Sequence, residues 1–283
     1  MRLICHTNAD SLLAVAQETL LAQEAVNGLI LGICLRLSGG GSYGDVPPFL
    51  GTVESTRGLE LVAVMTPPHR LLLHTPAGTG AVSLELLADH LLSSGIPVPG
   101  VSAPEGLARQ FADVWCERTG TVARTGMRLR IYELRQVQPV TLPQGEFRQA
   151  EAADLDLIRQ WSSGFHTACF GNDECAKAVQ AGENMVAAGN LFLWIDGTPV
   201  SMAARTRETK HGQAVSHVYT PPQYRRHGYA TAVVAGLSQR MLDDGLEFCT
   251  LYTDLSNPTS NSIYQQIGYR PVADVVDIHF GLP

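Results

Sequence analysis

Apolar positions along the chain alternate between helical and strand spacing, and glycine and proline punctuate the changes. Leu12, Leu13, Val15 and Ala16 recur with helical spacing behind Asn8 and Asp10, either of which can cap a helix running to about Val26. Residues 28–35 form an apolar run of strand length, and the glycine tract 39–44 behind it predicts a loop. Strand patterns at 59–65 and 70–74 lead through a Gly78-Thr79-Gly80 turn into a helix over 81–93. A short strand at 98–101, a helix over 105–118 and a long strand over 127–137 follow.

Residues 138–145 are rich in turn formers and make the best domain boundary. Beyond them a strand is expected at 146–149, with helices over 153–169 and 173–188, each opening on an acidic turn. A hairpin of strands 191–195 and 199–207 turns at Asp196-Gly197. Then come a strand at 214–220, a helix from about Tyr229 to Asp244, and a strand at 248–253. A helix from near Asn257 closes at Gly268, and strands at 269–272 and 276–280 end the pattern.

The two halves match by counting. Gly80 opens a helix and the next one ends at Gly120; Gly228 opens a helix and the next one ends at Gly268, both forty positions on. Thr75-Pro76 precedes the first turn as Thr220-Pro221 precedes the second. The pattern predicts an α/β protein of two like domains, residues 1–140 and 145–283, the first shorter by three residues in its glycine turn.

Composition narrows the class. With 45% hydrophobic and 17% charged residues the 283-residue chain is globular, and each half is large enough for its own core. A net charge of −7 offers no basic stripe for nucleic acid and tilts any small partner toward cations. The six cysteines have neither CxxC nor metal-ligand spacing, so His166, Cys169 and Cys175 do not read as a metal site. No apolar run approaches membrane-spanning length and no secretory h-region opens the chain, so a cytoplasmic protein is expected.

The chemistry concentrates at Arg225-Arg226-His227-Gly228-Tyr229-Ala230, between a strand and a helix start. First-turn N–H groups, the helix dipole and two guanidiniums together suit a pyrophosphate. Residues 218–230 resemble the acyl-CoA-binding segment of the GNAT (Gcn-five-related) N-acetyltransferases, whose pattern is met by Arg225, Gly228 and Ala230. The run from Asn257 through Asn261 and Tyr264 to Gly268-Tyr269 resembles the second family signature. The resemblance covers residues 145–283, and the tandem layout looks like the glycine N-acyltransferase branch.

That resemblance implies tandem GNAT-like domains, each a mixed, mostly antiparallel sheet flanked by helices, with the first non-catalytic. It implies acetyl-CoA as co-substrate, with no metal, and an amine of a small molecule or peptide as acceptor, on a monomer or homodimer. Val218, Tyr219 and Thr220 would line the pantetheine arm. Arg225, Arg226, His227, Gly228, Tyr229, Ala230 and Thr231 would hold the pyrophosphate, with Asn257 and Asn261 near the cofactor. Tyr264 would be the general acid, a role for which the aligned residue of the first half, Cys116, is unsuited. Ala214 stands where a carboxylate base often sits, and His217 is the strand's only titratable side chain; alternation sets it on the opposite face from Ala214, Ser216 and Val218, as a packed or surface histidine. Two rival readings remain: a CoA-binding regulatory pseudoenzyme, and an acyltransferase using a different acyl donor.

Overall fold

In the computed structural model, which describes residues 1–76, 80–171 and 175–282, strand β1 (Arg2–Cys5) leads into helix α1 (Ala9–Leu21). Asn8 caps that helix, its Oδ1 accepting from the Ser11 N–H at 2.9 Å. The apolar run 28–35, expected as a strand, lies instead inside α2 (Glu24–Ser38). A short apolar run fits either element, and burial decides it here. Ile30, Leu31, Ile33 and Cys34 join Leu12, Ala16 and Leu20 of α1 in one cluster.

Strand β2 (Phe49–Ser55) has no clear alternation in sequence because both its faces are covered: Phe49 and Val53 pack in one cluster, Leu50 in another. Strands β3 (Gly58–Met65) and β4 (Leu71–His74) follow, then α3 (Ala81–Ser93), β5 (Gly100–Pro104), α4 (Glu105–Thr119) and β6 (Val122–Leu134). The turn expected at Gly78 and Thr79, and the helix start expected at Asp173, lie outside the described residues.

The order then repeats. Strand β7 (Glu146–Gln149) is followed by a 3-10 turn, α5 (Leu155–Phe170), α6 (Cys175–Ala187), β8 (Leu191–Asp196), β9 (Thr198–Thr206) and β10 (Gly212–Tyr219). Helix α7 (Tyr229–Asp243), β11 (Phe248–Asp254), α8 (Pro258–Ile267) and β12 (Arg270–Gly281) complete it. Gly80 and Gly228 are the N-caps of α3 and α7, while Gly120 and Gly268 are left-handed C-caps of α4 and α8. The forty-residue spacing read from the sequence is therefore a spacing between equivalent helix ends.

The chain forms two compact units. One comprises Met1–Ile131, Thr253–Ser256 and the residues from Pro271 on; the other comprises Tyr132–Tyr252 and Asn257–Arg270. In the first, strands run in the order β1-β2-β3-β4-β5-β12, antiparallel except for β4 with β5. Leu61, Ala63 and Met65 face α3 and α4, while Val62 and Val64 face α1 and α2. In the second, the order is β7-β8-β9-β10-β11, antiparallel except for β10 with β11. Helices α7 and α8 cover one face of that sheet, and α5 covers the other.

The last strand thus belongs to the first unit although it follows the second repeat. The two strands expected at 269–272 and 276–280 form one, β12, and the intervening Asp274 accepts two hydrogen bonds from Arg130, of 2.7 and 2.8 Å. Asp277 of β12, only 5% exposed, takes an ion pair from Arg70. The Arg70 side chain is 34% exposed and can turn to water when its partner is removed. Asp277→Ala is therefore expected to destabilise the first unit by about 1–2 kcal/mol, read as a lower urea midpoint.

Candidate functional site

Strand β10 pairs with β11 over only three residues, Gly212, Gln213 and Ala214 against Phe248, Cys249 and Thr250. From Val215 to Tyr219 the two strands no longer pair. On its other side β10 pairs with β9, and the register shifts between Ser216 and Tyr219. Such a bulge turns side chains off the two-residue alternation. His217, at φ +50°, is its left-handed residue. Val215 and Val218 pack with the α7 cluster, whereas His217 stacks on Phe165 of α5 with ring centroids 4.9 Å apart. Tyr219 packs with Trp161 on that same α5 side. Alternation separated His217 from Ser216; the bulge instead lets their side chains meet.

Behind β10 the chain makes a 3-10 turn at Pro222–Tyr224 and enters α7 through Gly228. Gly228 has φ +81° and no side chain to cap the helix, so the first-turn N–H groups have no partner from the cap. Arg226 also sits in the left-handed region, at φ +67°. Among the described residues neither Arg225 nor Arg226 forms an ion pair, although Arg225 Nε donates to the Thr220 carbonyl at 3.1 Å. Thr220 Oγ1 and Ser201 Oγ lie 2.8 Å apart, and Ser201 Oγ donates to the Tyr219 carbonyl at 3.2 Å. The phenol of Tyr229 donates to Asp196 Oδ2 at the tip of the β8–β9 hairpin, and this bond raises its pKa. Its ring stacks on His227.

A cavity of about 330 Å³ opens beside the end of β10, walled by Trp161, Tyr219 and Tyr224 together with Pro199, Pro221 and Pro222. Gln160, Thr198 and Gln223 also line it, so its wall is uncharged but polar as well as aromatic.

Helix α8 is capped by Asn257, whose Oδ1 accepts from the Ser260 N–H at 3.0 Å. Asn261 donates through Nδ2 to the Asn257 carbonyl at 2.7 Å, and its Oδ1 accepts from the Tyr132 phenol at 3.0 Å. Both asparagine side chains expected near a cofactor are thus engaged within the fold. Tyr264, one turn on, is 8% exposed and packed between the rings of Tyr132 and Tyr269. Burial, with Cys169 adding to it, pushes its phenol above the usual tyrosine range. Its hydroxyl makes no hydrogen bond among the described residues, yet it is not sealed off as His74 Nε2 and Ser162 Oγ are.

Tyr132 was not foreseen. It lies on β6, the last strand of the first repeat, but packs in the second unit. Only knowledge of that strand's destination would have brought it beside Tyr264. Three non-glycine residues have positive φ in the described chain, Arg207, His217 and Arg226, and all belong to the second unit. Residues in this region carry about 1–3 kcal/mol of strain and cluster at functional sites. Arg207 lies over the Tyr252 ring at 5.1 Å.

His217 is partly buried, and desolvation, with Arg207 and His166 adding to it, lowers its pKa to about 4. Ala214 is buried, and β10 contains no Asp or Glu. Among the described residues no cluster of three His, Cys, Asp or Glu could hold a metal ion. No described helix is long and apolar enough to cross a membrane.

Residues 195–276, which span β9 to α8, match the family model described as FR47-like protein. A GCN5-related N-acetyltransferase from Sphaerobacter thermophilus superposes with a TM-score of 0.64 at 14% identity, covering 99% of this chain and 95% of that one. An acetyltransferase of the GNAT family from Colwellia psychrerythraea gives 0.59 at 12% identity, covering 99% and 100%. A tandem GNAT protein from the clavulanic acid biosynthesis pathway gives 0.59 at 10% identity over 99% and 98%. The chain has the tandem GNAT fold. No curated protein matches it in sequence. The glycine N-acyltransferase branch is not singled out by these matches. Within the GNAT fold of the second unit, the open β10–β11 pair, the Gly228-led helix start and Tyr264 all fall inside the matched span.

Proposed function

We propose that the second unit transfers an acyl group from a CoA thioester, acetyl-CoA as donor, to a primary amine by direct attack. The observation that carries this reading is the parting of β10 from β11 immediately ahead of an uncapped helix N-terminus. The unpaired edge of β10 around Val218 suits the amides of a pantetheine arm, which adds to the sheet as a strand would. The N–H groups of residues 227–231 and the guanidiniums of Arg225 and Arg226 suit the pyrophosphate.

The amine nitrogen forms the new C–N bond at the thioester carbonyl and the C–S bond breaks. The leaving thiolate takes a proton from the Tyr264 phenol, the amine releases one to water, and water returns one to the phenolate. Burial supports this assignment in one respect, because it keeps the phenol protonated across physiological pH. It also makes the phenol a weaker acid, so donation depends on contact with the developing thiolate. In the first unit Cys116 occupies the position of Tyr264 and the turn has no arginine pair, so that unit is read as non-catalytic.

A screen of amines for release of the CoA thiol from acetyl-CoA tests the reading. Acceptor-dependent release is expected from the wild-type chain. Tight acetyl-CoA binding with no release on any amine would instead favour a CoA-binding regulatory protein.

A further inference from the structure

The helix that carries Tyr264 is tied down by a stretch of chain far ahead of it. Asn261 Nδ2 donates to the Asn257 carbonyl at 2.7 Å, so the amide end facing Tyr132 is the oxygen. The Tyr132 phenol therefore donates to Asn261 Oδ1, across 3.0 Å. A phenol has one proton to give, so its oxygen accepts from Gln265 Nε2, at 3.1 Å. One hydroxyl thus bridges successive turns of α8, on the stretch of helix that bears Tyr264. Further along, the Gln138 N–H donates to the Ile267 carbonyl at the end of the same helix, at 2.8 Å. The backbones are close there, since a Cβ on Gly268 would lie 3.0 Å from the Gln136 carbonyl. Residues 132–138 hold α8 at both points.

Tyr264 depends on such a hold. Its hydroxyl makes no hydrogen bond among the described residues, so no polar contact within them sets its direction. The ring is placed by its neighbours instead. Tyr132 tilts against it with centroids 6.3 Å apart, and Tyr269 meets it edge-on at 6.0 Å. Each neighbour is itself anchored, Tyr269 by Ser238 Oγ of α7 at 2.8 Å and Tyr132 by α8. A proton donor has to come within hydrogen-bond reach of the group it serves, and a misplacement of about 1 Å can cost about 100-fold in rate.

We propose that Tyr132 is a positioning residue for the reaction: its hydroxyl clamps α8, and its ring sets the direction of the Tyr264 phenol. This rests on the acyltransferase reading above, with Tyr264 as the acid. Turnover tests the two together, and a ring-motion measurement tests the clamp alone.

In the full chain, Tyr132→Phe keeps the ring and removes both hydrogen bonds. It is expected to lower kcat about 10-fold, with acetyl-CoA affinity and acceptor KM within about twofold of wild type. Gln265→Leu removes only the bond from an exposed side chain, so it carries the test even if Tyr132→Phe folds poorly. A smaller loss of the same kind is expected from it. In a Tyr264→Phe background, Tyr132→Phe should lower kcat no further. Wild-type kcat in both single variants overturns the proposal. So does a 10-fold loss that persists without the Tyr264 hydroxyl, which would make Tyr132 a structural residue only. Carbon-13 NMR of labelled tyrosine rings reads Tyr264 with no acceptor present. Its ring flip is expected to quicken about 10-fold in Tyr132→Phe; an equal rate overturns the proposal. Should no amine be turned over, or Tyr264→Phe leave kcat unchanged, the reading above fails by itself. The flip rate then decides alone whether Tyr132 holds the ring.

Discussion

Arg226→Glu and Gly228→Asp are each expected to weaken acetyl-CoA binding by about 100-fold or more, the largest effect of any single change on affinity. A 100-fold loss corresponds to about 2.7 kcal/mol, within reach of removing a charge-assisted contact and adding a repulsive one. Arg226 has no ion pair in the chain among the described residues, so reversing its charge breaks no internal bridge. Gly228 has room for a Cβ, with Pro143 Cδ 3.6 Å away, so the damage there is not a clash. It comes from forcing a left-handed φ on an L side chain and from placing a carboxylate at the helix start where the proposed site would hold the phosphates. Isothermal titration with acetyl-CoA reads both variants. Affinity within a few-fold of wild type for Arg226→Glu would remove that guanidinium from the cradle.

Tyr264→Phe is expected to lower kcat by about 100-fold while leaving acetyl-CoA affinity and folding stability nearly unchanged. The change is unusually clean here. The hydroxyl makes no hydrogen bond among the described residues, so its removal leaves no orphaned partner, and the ring keeps its packing between Tyr132 and Tyr269. The raised pKa also fixes a sign. Across neutral pH the phenol stays protonated, so no basic limb from Tyr264 should enter the rate profile below about pH 10. Pre-steady-state release of the CoA thiol, with the best acceptor from the amine screen, checks the prediction. Equal rates for the two proteins would return Tyr264 to a packing role.

Much of this was legible in the chain because local rules agreed with the fold. The two glycine-marked helix pairs, the Asp196-Gly197 hairpin and the Gly228-led start of α7 each depend on backbone conformations that the sequence signals directly. Three things were not legible, for separate reasons. Residues 28–35 are too short and too apolar for period to distinguish helix from strand, and only contact with α1 decided it. Tyr132 and β12 belong to units that their positions in the chain do not announce: pairing with β5 assigns β12, and packing against Tyr264 assigns Tyr132. The bulge at Ser216 and His217 inserts no glycine or proline, so nothing in the sequence warned that alternation would fail there.

The central claim is that the parted strands and the Gly228-led helix start of the second unit form an acyl-CoA site. The direct measurement is the melting temperature of the full chain with and without acetyl-CoA. At a concentration 100 times the Kd, binding to the native state alone adds about 2.7 kcal/mol. A rise of several degrees is predicted for the wild-type chain and none for Gly228→Asp. An unchanged melting curve for the wild type at millimolar acetyl-CoA would contradict the account.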